Sequence, residues 1–197
     1  MKRLLLTLGI LLALGTVWAQ RNVTVSGVVE AAVPLPDNAR VGVHVINSQG
    51  VTLDEVTSVR PVAGTFSLTT EPLAPGLLQP WRSGGVPLPG LQTDYTITPD
   101  NVNYARAVTK VYLDDNANGG YEPSDPGYLG VVQIEGGGGF FVLLYVDKAA
   151  TLSGRGATLN LVPGWNIFTA RTQAAADGLV YGIEAEVNNA LLDVFIQ

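Results

Sequence analysis

The residues with the clearest chemical content form one run, LDDNANGGYEPSDPG, from Leu113 to Gly127. It gathers three aspartates, one glutamate and two asparagines in a chain of which only 14% is charged. Counted from Asp114, Asn116 is third, Asn118 fifth, Gly119 sixth, Gly120 seventh, Glu122 ninth and Asp125 twelfth. That is the oxygen-donor spacing of a twelve-residue calcium loop, with Asp in place of the closing Glu. Ca²⁺ is a hard cation that takes about six to eight oxygens. Alternate side chains of a coiled loop converge on one point, and a glycine without Cβ lets the coil reverse. Asp114, Glu122 and Asp125 would supply charge, Asn116 and Asn118 amide oxygens, and Gly120 its carbonyl, with Asp115 pointing away. Three charges and a short closing Asp predict modest affinity, in the range ~10⁻⁴ to 10⁻³ M. Mg²⁺, which demands a strict octahedron, fits less well. The competing reading is a solvated Asn/Gly turn without metal, since these are ordinary turn residues.

The flanks say what must hold the loop. AVTKVYL before it alternates and is rich in β-branched residues, and Pro123 and Pro126 deny donors to any exiting helix. The loop therefore joins strands, and it is long for a hairpin. With these flanks, VYLDDNANGGYEPSDPG resembles the calcium loop of B-type repeat domains in bacterial surface adhesins, over residues 111–127. The resemblance implies a calcium-bound sandwich serving as a stiff stalk module. Residues 23–70, with VSGVV and GTFSL, resemble the transthyretin-like (carboxypeptidase-regulatory-like) sandwiches of secreted bacterial proteins. The chain departs from the adhesin pattern in three ways. It has one such loop, Tyr112 stands where Trp is usual, and no LPxTG signal ends it.

Strand signals fill the rest. VTVSGVVEA and ARVGVHVINSQG come first, with Val41, Val43 and Val45 on one face and Gly42, His44 and Ile46 on the other. In GTFSLTT, Phe66 and Leu68 share a face opposite Thr65, Ser67 and Thr69. Residues 71–93 are too rich in proline for a central strand and read as a long loop. Later strand signals run to the end, and Ala174 to Asp177 has room for one helical turn. About ten short strands with Gly-rich turns predict an all-β protein, an antiparallel β-sandwich of Ig-like or transthyretin-like type. One unit over 20–197 is expected. The alternative is two packed sub-sandwiches divided at 71–93, because some 48 residues without disulfides make a marginal domain.

Residues 1–19 have a basic start, a short apolar run from Leu4 to Val17, and a Val17-Trp18-Ala19 cleavage pattern. This is a secretory signal peptide rather than an anchor, since spanning needs ~20 apolar residues. No membrane span is expected after cleavage, and the protein is placed outside the cytoplasm, secreted or in a bacterial periplasm or cell envelope. Loss of Lys2 and Arg3 takes the formal charge from −6 to −8. So acidic a surface repels phosphate backbones, which excludes nucleic acid as a partner. With no Cys, the fold has neither disulfide staples nor a thiol nucleophile.

Other candidates are thinner. His44, the only histidine, reads as a surface or partly buried strand residue. Glu184 and Glu186 share a strand face but read as its wet side, and Asp54 and Glu55 point to opposite faces. Gly136 to Gly139 reads as a hairpin turn rather than a phosphate loop, and Arg155 as a turn tip. Trp165 is assigned to the core, whereas Trp81, in the Pro-rich loop, is the candidate exposed platform for a sugar ring. The function expected is a non-enzymatic structural or adhesion module of the cell envelope. It would carry a calcium loop and bind a cell-surface protein or glycan. A carbohydrate-binding module using Trp81 comes second, and a hydrolase third.

Overall fold

Alternating and continuous apolar runs become strands throughout the computed structural model, which describes residues 20–31, 34–81, 96–128, 130–133, 139–154, 157–175, 178–184 and 189–196. Residues 1–19, read above as a signal peptide, most of the Pro-rich loop, residues 136–138 of the glycine run, Arg155 and Glu186 lie outside the described residues. The chain is all-β. Its first strands are β1 (Thr24–Ala31), β2 (Ala39–Ile46), β3 (Thr52–Val59), β4 (Thr65–Thr69), β5 (Gln79–Pro80) and β6 (Thr96–Thr98). They are followed by β7 (Asn103–Leu113), β8 (Gly127–Tyr128), β9 (Gly130–Gln133), β10 (Gly139–Val146) and β11 (Ala150–Gly154). The last are β12 (Ala157–Leu161), β13 (Gly164–Ala175), β14 (Gly178–Glu184) and β15 (Asn189–Ile196).

These strands form three sheets. The large sheet runs β14-β13-β10-β7-β2-β3, with β5 and β8 also paired to β7. A second runs β4-β1-β15-β9, and a third β12-β11-β6. Strands from both sides of the loop 71–93 share the first two. Every described strand pair is antiparallel except β1 with β15, which run parallel from Thr24 opposite Asn189 to Ala31 opposite Ile196. A period-2 pattern marks a strand but not the direction of its neighbour, so this pair was not legible in sequence.

Two apolar clusters lie on opposite faces of the large sheet. In the first, Val25 and Val29 of β1 and Phe66 and Leu68 of β4 meet Val41, Val43 and Val45 of β2 and Trp165 of β13. The alternation expected in β4 is observed, with Phe66 and Leu68 buried and Thr65, Ser67 and Thr69 exposed. In the second, Ile97, Leu152 and Leu161 of the small sheet cover Val142, Leu144 and Val146 of β10 and Phe168 of β13. With Leu143 and Tyr145 in the first cluster, β10 is buried on both faces from Val142 to Val146, which explains why its VLLYV does not alternate.

One local expectation is corrected. Ala174 and Ala175 continue β13, opposite Leu179 and Gly178, so no helical turn begins there.

Candidate cation-binding loop

The acidic loop leaves β7 at Leu113 and returns along it through β8, with Val111 opposite Tyr128 and Tyr112 opposite Gly127. Its mouth is closed by Leu113 N–H donating to the Pro126 carbonyl at 2.9 Å. Asn38 steadies the first turn. Its carbonyl accepts from Asp114 N–H at 3.0 Å, and its side-chain amide donates to Asp115 Oδ1 at 3.1 Å. Ala117 (φ 56°) and Gly119 (φ 88°) supply the left-handed steps that coil the loop. Gly119 was expected to reverse the coil; the second such residue, Ala117, was not.

The coil turns side-chain oxygens inward. Asp114, only 1% exposed, accepts from the backbone N–H groups of Asn118 and Gly119, each at 3.0 Å. Asn116 Oδ1 accepts from Asn118 N–H at 3.0 Å, and Asn118 Oδ1 from Gly120 N–H at 2.9 Å. The Glu122 carboxylate spans the two amides, taking donors from Asn116 at 3.0 Å and Asn118 at 2.9 Å. Asp125, also buried, caps Glu122 N–H at 2.7 Å. Asp114, Asn116, Asn118, Glu122 and Asp125 are therefore linked in one turn of chain, while Asp115 points to Asn38 as expected. Among the described residues, no three acidic or imidazole side chains form a ready metal cluster. The donor chemistry nonetheless fits a hard cation, being oxygen throughout with charged and neutral groups alternating. Arg40, from β2, brings Nη1 to 3.9 Å from Asp114 Oδ2 and offsets its buried charge.

Beneath the loop lies a buried polar group on the outer face of β2, β3 and β7. A β-bulge in β3 skips Val56, so that Glu55 rather than Val56 stands opposite His44. Ser58 is the hub of this group. It donates to Glu55 Oε1 at 2.9 Å and accepts from Arg40 Nε at 3.1 Å and from the Tyr112 hydroxyl at 3.2 Å. Lys110 donates to Thr52 Oγ1 at 2.6 Å. Tyr121, from the loop, sets its ring at 80° to His44 with centroids 4.9 Å apart; Tyr112 meets both rings edge-on.

His44 is fully buried, which corrects the surface expectation. The cover comes from Tyr121, far along the chain, so no local pattern announced it. Neither ring nitrogen has a hydrogen-bond partner; Glu55 Oε2, likewise unpartnered, lies 3.9 Å from Nε2. Burial, then the positive charge of Lys110, lowers the His44 pKa to about 4. Glu55 is too distant for a hydrogen bond that would reverse this. Burial, reinforced by Glu55, raises Tyr112 to about 12, and burial lowers Lys110.

Trp81 is not the exposed platform expected. It is 4% exposed in the second cluster, 4.8 Å from Tyr104, so no open ring face remains for a sugar. Trp165 is in the core as expected, its indole N–H donating to the Glu71 carbonyl at 2.7 Å. A groove of about 850 Å³ lies between residues 34–39 and 60–64, with Asp37 and Arg60 its charged lining residues. It does not include His44. No protein-family model matches the chain, and neither does any curated protein or solved structure.

Proposed function

We propose that the protein is an exported, non-enzymatic β-sandwich of the bacterial cell envelope, a structural or adhesion-type module whose loop 114–125 binds Ca²⁺. The observation that carries this reading is the coil itself. Asp114, Asn116, Asn118 and Asp125 are held by the loop's own backbone N–H groups and Glu122 by the Asn116 and Asn118 amides, with the Asp114 and Asp125 carboxylates buried. Side chains held in advance need little ordering when a cation arrives. The ion's role is structural: it ties β7 to β8 and holds the loop on the outer face of the sheet. The position of His44 supports a non-catalytic role, because the only imidazole in the chain is sealed from any substrate. The outward partner is a cell-surface protein or glycan.

Calorimetric titration with CaCl₂ at neutral pH tests this reading. One site of Kd ~10⁻⁴ to 10⁻³ M is expected, abolished by Asp114→Ala and unaffected by Asp115→Ala. Absence of heat and of any change in melting temperature at 10 mM Ca²⁺ would refute it.

A further inference from the structure

We propose that His44 is an acid-operated latch beneath the cation loop: while neutral it lets the loop close over the sheet, and once protonated it drives the loop off. The latch rests on the calcium reading only for its consequence, which is loss of the ion in acid.

The geometry is that of a buried base with nowhere to place a charge. His44 is sealed on the outer face of the large sheet, and both ring nitrogens lack partners. The groups packed around it come from four elements. They are Gly42 on its own strand β2, Glu55 from β3, Lys110 and Tyr112 from β7, and Tyr121 from the loop; Arg40, also on β2, is bonded instead to Ser58 and paired with Asp114. An imidazolium would have two donors to satisfy, and only Nε2 faces an acceptor, Glu55 Oε2 at 3.9 Å. It would also add a positive charge beside Lys110. There is little room to rearrange, because a Cβ on Gly42 would lie 2.6 Å from His44 Nε2 and 2.9 Å from Glu55 Oε2.

Water must therefore be let in, and the elements differ in how firmly they hold. β2, β3 and β7 are bonded along whole ladders. Past its anchored first turn at Asn38, the loop's hold on this face is the Tyr121 ring contacts, a 3.5 Å approach of Ser58 Oγ to the Gly119 carbonyl and the 3.9 Å Arg40–Asp114 pair. The loop yields first. Its release also moves Asp114 away from Arg40 and dismantles the coil that gathers the oxygens. The sign follows from linkage. The closed form disfavours the charged imidazole and the open form does not, so closure is complete above pH 6.5 and is lost progressively toward pH 4. Between pH 7.5 and 4.5 the ratio of open to closed loop should rise on the order of 50-fold.

His44 is the only histidine, so its ring titration by NMR in tag-free protein is unambiguous. In the wild type it should titrate well below 6.5, and Tyr121→Ala should return it toward 6.5. Hydrogen exchange at the Asn118 and Gly119 amides, corrected for intrinsic rates, should show the rise in opening between pH 7.5 and 4.5. His44→Phe keeps the ring packing but cannot charge, so it should suppress that rise. The loop carboxylates titrate in an overlapping range, which makes this variant the necessary reference. A wild-type ring titrating at 6 or above, or identical exchange profiles in wild type and His44→Phe, would overturn the latch. Terbium luminescence separates the two readings. No terbium binding at pH 7.5 defeats the cation site and leaves the exchange result to judge the latch. Binding with the same pH profile in both proteins defeats the latch alone.

Discussion

Gly42 shows how much of the buried polar group depends on single atoms. It stands on β2 between Arg40 and His44, and the missing Cβ leaves the space that the His44 and Glu55 tips occupy. Gly42→Ala should destabilise the fold by about 1–3 kcal/mol, read as a lower urea midpoint, because both tips are confined. His44 itself makes stability depend on pH. Its pKa in the folded chain is about 4, against 6.5 in the open. The unfolded chain therefore binds the extra proton between those values, and about 3 kcal/mol of stability is lost as pH falls across that window. Urea unfolding at pH 7 and pH 4.5, in wild type and His44→Phe, checks this; the fall should be smaller in the variant. Asp114 acts differently, as the acceptor for two backbone donors in the loop. Asp114→Ala should cost about 2–3 kcal/mol even in EDTA, whereas Asp115→Ala should change stability by about 0.5 kcal/mol or less.

At the scale of elements, β2 and β10 explain what the sequence carried and what it hid. In ARVGVHVI the odd valines point to the first cluster as expected. The other face, Gly42, His44 and Ile46, is also buried. From Val41 on, only glycine and histidine interrupt the apolar residues, and a run so poor in polar groups is the mark of a strand covered on both sides. The covering residue, Tyr121, could not be inferred, because contact between distant segments leaves no local period. The β3 bulge was equally hidden: it converts Asp54-Glu55-Val56 from plain alternation into a placement of Glu55 against His44. The acidic loop was legible because its oxygens, glycines and prolines act over a dozen consecutive positions. Trp81 misled for the opposite reason. The prolines before it allow only a single 3-10 turn, Pro75–Leu77, and the short β5, but its side chain packs on Tyr104 of β7. Trp81→Ala should therefore cost about 3–5 kcal/mol in urea unfolding, as a core truncation does.

On the scale of the whole molecule, the large sheet is a middle layer. One face is covered by the sheet of β1 and β4; the other is covered by the small sheet at one end and by the acidic loop at the other. Calcium at ten times its Kd should add about 1.4 kcal/mol, raising the melting temperature by about 3–6 °C for a chain of this size, an increase that EDTA reverses in a thermal scan. The chain start is clamped to the same body. Arg21 accepts from Trp165 N–H at 2.7 Å and donates to the Pro163 carbonyl at 2.9 Å, over Gly164 at φ 97°. The parallel alignment of β1 with β15 bears on the timing of folding. β1 is among the first strands synthesised, yet one of its two edges has no neighbour until Asn189–Ile196 has emerged. Assembly must wait for nearly the whole polypeptide, which leaves a long interval in which the chain can be threaded through a narrow passage before it locks.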